Sequence, residues 1–266
     1  MIGGLVFNLA ALAALVPAAL LPLRRQTARD GAFWAVLAVA VAGPLLWASW
    51  QLAGSWQTNL SADLWVGIAA SGLLFAAVCA VNGQAWRLTP LLMPYLILLG
   101  LLANLFAWAP GQPLAETAPA GWLDTHILVS VATLGLLTVA ASAALATFLQ
   151  AQALKSKRPN RLSRMLPPVS DSERLFERLL VLSEVILGLG VATGMATQFA
   201  ETGQLLSLTH KTLLSVLAFA IIGALIVGRR VCGVRGQMAV RVVMVAYAFV
   251  ILGYFGVKFV KQVLLS

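Results

Sequence analysis

Leu123–Ala153 reads LDTHILVSVATLGLLTVAASAALATFLQAQA. After Asp124 it carries no charged side chain. An α-helix needs only about 20 apolar residues to cross the hydrocarbon of a bilayer. Backbone groups in lipid find no water to hydrogen-bond, so a run of this kind must be helical. It is longer than a bilayer needs, so its last turns are expected to project into the aqueous phase, where Lys155, Lys157, Arg158, Arg161 and Arg164 open a basic loop. Seven further apolar runs accompany it: Ile2–Leu23, Gly31–Ala53, Asp63–Asn82, Pro90–Ala109, Arg174–Ala200, Thr209–Gly228 and Met238–Val263. Pro17, Pro44 and Pro94 are expected to kink or start helices, which lipid tolerates where neighbouring helices satisfy the freed carbonyls. The 266 residues are 61% hydrophobic and only 10% charged, against about 25% charged in a soluble domain. A soluble globular enzyme is therefore excluded. The expectation is an all-α polytopic membrane protein of eight transmembrane helices, forming one integral membrane domain over residues 1–266.

Charge orients the helices. Met1–Leu23 is uncharged and Arg24, Arg25 and Arg29 follow it, the reverse of a signal peptide, whose positive charge precedes the apolar region. Of 18 Lys and Arg residues, all but Lys211, Lys258 and Lys261 fall in the loops after the first, third, fifth and seventh spans. The positive-inside rule then places those loops in the cytoplasm and both termini in the periplasm of a bacterial inner membrane. The net charge of +9 is thus a topology device and needs no nucleic-acid partner. The Lys155–Arg164 run is also expected to meet anionic lipid or a cytoplasmic partner. The Pro167-Pro168 pair breaks the chain before the sixth span, with Ser170 or Asp171 as its expected N-cap. Cys79 and Cys232 have no CxxC spacing and no nearby His, and read as free thiols.

Candidate chemistry is sparse. The only two histidines, His126 and His210, stand at the starts of the fifth and seventh spans. Both spans run inward, so both imidazoles are expected within about one turn, about 5 Å, of the outer helix ends. Two readings are open. They are interfacial histidines bonded to headgroups or loops, or they are axial ligands of a haem iron clamped between facing helices. Lys211, Lys258 and Lys261 break the charge rule. They either snorkel to phosphate headgroups or pair with haem propionates at the depth of the histidines. Trp47, Trp50, Trp56, Trp65, Trp108 and Trp122 gather at the outer side, as an aromatic belt or as a stacking surface for a flat ligand. Asn8, Asn104, Glu184 and Tyr247 are the notable polar residues inside spans; Glu184 is expected to pair with an inner arginine. Gly190 and Gly194 form a small-xxx-small face that reads as helix packing. There is no HExxH, no paired inward carboxylates and no Cys/His cluster.

The second half resembles a known family. Asp124-Thr125-His126-Ile127-Leu128-Val129-Ser130 is similar to the His-bearing helix start of the cytochrome c assembly protein family, the CcsA-, HemX- and YpjD-like haem-handling membrane proteins. So are Ser172-Glu173-Arg174-Leu175-Phe176 through Leu187-Gly188, and then Thr193-Gly194. His210-Lys211-Thr212-Leu213-Leu214-Ser215, Val234-Arg235-Gly236-Gln237 and Gly253 through Val260 resemble the YpjD-like branch most. The likeness covers about residues 90–266. It implies non-covalent, b-type haem, with His126, His210, Lys211 and Lys258 as its site. It also implies partners in cytochrome assembly or tetrapyrrole synthesis. Synthetases of the family carry a tryptophan-rich outer loop with flanking histidines. Here the corresponding Gln198–Leu206 has no Trp and no Asp, and no His follows Val227-Gly228. The resemblance therefore implies haem binding or handling, and not an enzyme. The other reading is a non-enzymatic accessory or regulatory protein that docks a cytoplasmic partner through 155–178.

Overall fold

The computed structural model describes residues 2–24, 28–52, 57–108, 111–113, 120–203 and 209–264. Arg25, Trp56, Glu116 and Leu205-Leu206, and the side chains of Arg24 and Glu201, lie outside what is described. The long helices are α1 (Ile2–Arg24), α2 (Gly31–Leu52), α3 (Leu60–Val81), α4 (Thr89–Leu105), α5 (Ala120–Ser156), α7 (Val169–Thr202), α8 (His210–Val231) and α9 (Gln237–Ile251). A short α6 (Arg161–Met165) precedes α7. After α9 the C-terminal helix runs on through a π-helical turn at Leu252–Gly256, then Val257–Phe259 and a second π turn at Val260–Leu264. Among the described residues, eight helices are long and apolar enough to cross a membrane. Two two-residue strands, β1 (Gln57–Thr58) and β2 (Gln112–Pro113), pair antiparallel and tie together the loops after α2 and α4. Hydropathy alone gave no sign of them.

α5 is the middle of the bundle and packs against α3, α7 and α9. Its inward faces are lined by Ala140, Ala143, Ala144 and Ala146, all fully buried. Small side chains let helices approach closely where lipid offers no hydrophobic drive to hold them together. At 37 residues, α5 is about 55 Å long at 1.5 Å per residue, and its basic end overshoots as expected. There Gln150 Nε2 stands 2.7, 3.1 and 3.0 Å from the carbonyls of Ser163, Leu166 and Pro167. Asn160 caps α6 by accepting from the Ser163 N–H at 2.7 Å. The basic turn after α5 is therefore an ordered structure.

Several polar groups inside the bundle are paired in chains. The Thr138 hydroxyl donates to the Leu134 carbonyl at 2.7 Å and meets the Tyr247 hydroxyl at 2.8 Å, which meets that of Tyr95 at 2.8 Å. This links α5, α9 and α4. Trp47 donates its indole N–H to Asn8, joining α2 to α1.

Several expectations are corrected. Trp47 and Trp65 do not lie in a belt. They pack against each other in the core at 5.7 Å between ring centroids, because α2 and α3 turn these faces inward. Trp50, Trp108 and Trp122 are exposed, as a belt requires. α7 starts at Val169 with Pro168 at the cap position and no side-chain cap. Ser172, the residue after the two expected caps, turns back to the Pro167 carbonyl at 3.2 Å. Pro17, Pro44 and Pro94 lie inside α1, α2 and α4, none of which they end. Glu184 makes no ion pair among the described residues, and its Oε2 has no hydrogen-bond partner. The buried Arg229 is used instead by Glu173 at 3.5 Å and Glu177 at 3.7 Å, one and two turns into α7. Cys79 is buried, Cys232 is exposed, and both are free.

The α3–α5 crossing has no room to spare at Gly135. A Cβ there would meet Leu74 Cδ1 at 2.7 Å and the Ala70 backbone at 3.1 Å. Gly135→Val is expected to lower stability by about 1–3 kcal/mol through overpacking, read as a lower Tm in detergent. Gly72→Ala, whose Cβ would find only Val41 at 3.6 Å, is expected to leave Tm unchanged or raise it slightly through helix propensity.

Candidate functional site

At the end of the bundle opposite Arg229, α5, α7, α8 and the C-terminal helix part around a cavity of about 380 Å³. Small-molecule sites commonly measure about 300–1,000 Å³. Leu187, Val191, Val216 and Val250 supply apolar wall, and His126, Lys211, Lys258 and Asp63 supply its charged or basic groups. No tryptophan lines it among the described residues, so the expected stacking surface is not part of this cavity.

His126 is seated by α7. Its ring lies over Gly194, where an added Cβ would come within 2.9 Å of its Cε1. One turn away, Gly190 lets Val129 approach, at 3.5 Å from the corresponding Cβ position. The small-xxx-small face therefore packs helices and also makes the imidazole's seat. Thr193 supplies the polar contact: its Oγ1 is 3.2 Å from His126 Nδ1. That hydroxyl already donates its one hydrogen to the carbonyls of Leu189 at 2.9 Å and Gly190 at 3.1 Å. With that hydrogen turned to the carbonyls, it accepts from the ring. Nδ1 is then the protonated nitrogen, and Nε2 keeps a bare lone pair, the form in which histidine binds a metal.

His210 is placed differently. It is the first residue of α8, capped by Thr209, and its side chain is exposed. Its neighbours Thr209 and Lys211 both line the cavity, and His210 itself does not. It stands at the rim. His126 lies nearly two turns into α5 (Ala120–Ser156), whereas His210 opens its helix, so the two are not at equivalent helix positions. The reason is the length of α5, which starts three residues before the apolar run. Lys211 and Lys258 do line the cavity with His126, but Lys258 is ion-paired with Asp63 of α3. Sequence reading missed Asp63 and Thr193. An acid in the first turn of a span was the available signal for Asp63, and the Thr-Gly pair in the α7 motif was the one for Thr193. Among the described residues no group of three or more His, Cys, Asp or Glu could hold a metal ion on its own.

The fold and cavity define a class: a multi-pass membrane protein with one imidazole in a mostly apolar chamber near one end. The chain belongs to the cytochrome c assembly protein family, which it matches over residues 32–265. It is 51% identical over 267 residues to the "Uncharacterized 28.8 kDa protein in nifR3-like 5'region" of Azospirillum brasilense, covering 98% of each chain. No solved structure matches it. Membership supports a haem-handling role in a membrane. The cavity fits such a group on its own chemistry. It has a glycine-cleared imidazole, apolar walls and an ammonium at its edge.

The tautomer is directly measurable. Nitrogen-15 NMR of histidine-labelled protein in detergent is expected to show His126 protonated at Nδ1 and bare at Nε2, and Thr193→Val is expected to shift it toward the other tautomer. A wild-type His126 protonated mainly at Nε2 would contradict the assignment.

Proposed function

We propose that this protein binds and handles b-type haem, non-covalently, in the bacterial inner membrane, with His126 as an axial ligand. The observation that carries this is the seating of His126 in the cavity, with Thr193 in contact with one ring nitrogen. Bound haem supplies an iron that takes axial nitrogen donors and carboxylates that seek cations. His126 offers the first nitrogen donor. His210, between two lining residues at the rim, is our candidate for the second. Lys211 and Lys258 are our candidates for the carboxylates. The charge bias of the loops supports placing the cavity at the periplasmic side with both termini. We further read the chain as a binder and not a synthetase, because Gln198–Leu206 holds no tryptophan and the sequence has only two histidines.

A second reading is favoured by the ordered basic turn. Gln150 and Asn160 hold the α5–α6 connection in place, while Lys155, Lys157, Arg158, Arg161 and Arg164 are exposed on it. This surface would dock an acidic cytoplasmic partner from cytochrome assembly or tetrapyrrole synthesis, alongside haem binding.

Purified protein titrated with haem is expected to give a Soret band with a low-spin, six-coordinate spectrum. His126→Ala is expected to weaken binding by about 100-fold, the upper end of the 10–100-fold cost of losing a supporting partner. His210→Ala is expected to keep the band but turn it high-spin. Full haem retention in the double variant would refute the ligand assignment.

A further inference from the structure

The charged corner of the cavity holds two ammonium groups and one carboxylate. Asp63, in the first turn of α3, is ion-paired with Lys258 of the C-terminal helix, and the two side chains are only 13% and 18% exposed. Close by, Gln262 accepts from the Leu60 N–H at 2.9 Å, so α3 and the C-terminal helix are clasped at two points. Lys211 faces the same corner from α8 and has no ion pair among the described residues. Tyr254 lines the corner close to Asp63, and the exposed Lys261 is the remaining cation near Lys211.

This corner treats a first and a second ligand carboxylate differently. The first meets Lys211, which Asp63 attracts at longer range but which has no ion pair among the described residues. The second can reach Lys258 only in competition with Asp63. Breaking a buried ion pair is costly, so Lys258 gives up Asp63 only for another carboxylate, that of the ligand.

We propose that Asp63 is an internal competitor of the ligand: it holds Lys258 in the empty cavity and cedes it when a porphyrin seats both of its carboxylates. This rests on the haem reading above and adds a specificity device to it. Asp63 weakens the hold on a dicarboxylate, leaves an esterified porphyrin unaffected, and takes Lys258 back on release. A cavity with such a built-in rival holds its ligand reversibly, as a carrier does.

The test is a spectrophotometric titration of the full chain in detergent, with haem and with haem dimethyl ester. Asp63→Asn is expected to tighten binding of free-acid haem about tenfold and leave the ester unchanged. Lys211→Gln is expected to weaken the free acid about tenfold, again sparing the ester. Should Asp63→Asn fail to fold, Lys258→Gln carries the test: it leaves Asp63 facing the ligand, and is expected to weaken the free acid more than Lys211→Gln does. A folded Asp63→Asn protein that binds free-acid haem no tighter than wild type overturns the proposal, and so does an equal shift for acid and ester. Wild-type protein that binds neither porphyrin overturns the haem reading itself, which keeps the two failures distinct.

Discussion

The close approach of α5 and α7 at Gly190 and Gly194 governs what the far end of this bundle can be. Between helices in lipid, association comes from packing and from polar contacts, and glycine sets how near two backbones come. A side chain at 194 would stand 2.9 Å from the His126 ring, so the glycine decides whether the imidazole has a place at all. Thr193, next to it, contacts one ring nitrogen. A helix-packing motif and the seat of the His126 imidazole are thus the same few residues.

Charge is handled in the same sparing way. Ionisable groups within a membrane are expensive and are kept with partners. At the basic end, Arg229 is buried between Glu173 and Glu177 and lies over the Phe176 ring, its guanidinium carbon 5.3 Å from the centroid. At the other end Asp63 and Lys258 hold each other. Glu184 lies between these two clusters on α7, against Gly223 of α8, where a Cβ would be 2.9 Å from its Oε1. Lys211 is the charge left over at the cavity, which gives the chamber a net preference for anions at one corner and for apolar surface elsewhere.

Most of the architecture follows from hydropathy read along the chain. All eight spans are where apolar runs put them, because a helix in lipid has no other way to satisfy its backbone. Their ends drift by a few residues, since amphiphilic turns such as Ala120–Leu123 and Val169–Glu173 continue a helix beyond the apolar run. What hydropathy does not carry is the direction a side chain takes. Trp47 and Trp65 look like interface anchors by position and are core by packing. Asp63 and Lys258 sit at distant points of the sequence, and only the meeting of α3 with the C-terminal helix makes them a pair. His126 and His210 look equivalent as helix-start histidines, and the longer α5 sets them at different positions.

The central claim is that haem occupies the chamber between α5, α7, α8 and the C-terminal helix. Its most direct test is an electron cryo-microscopy map of the protein in a lipid nanodisc after haem loading. The account predicts planar density in that chamber with the His126 ring against its metal and the Lys211 ammonium at its acidic edge. Planar density bound elsewhere, or a chamber filled by a lipid tail under saturating haem, would contradict it.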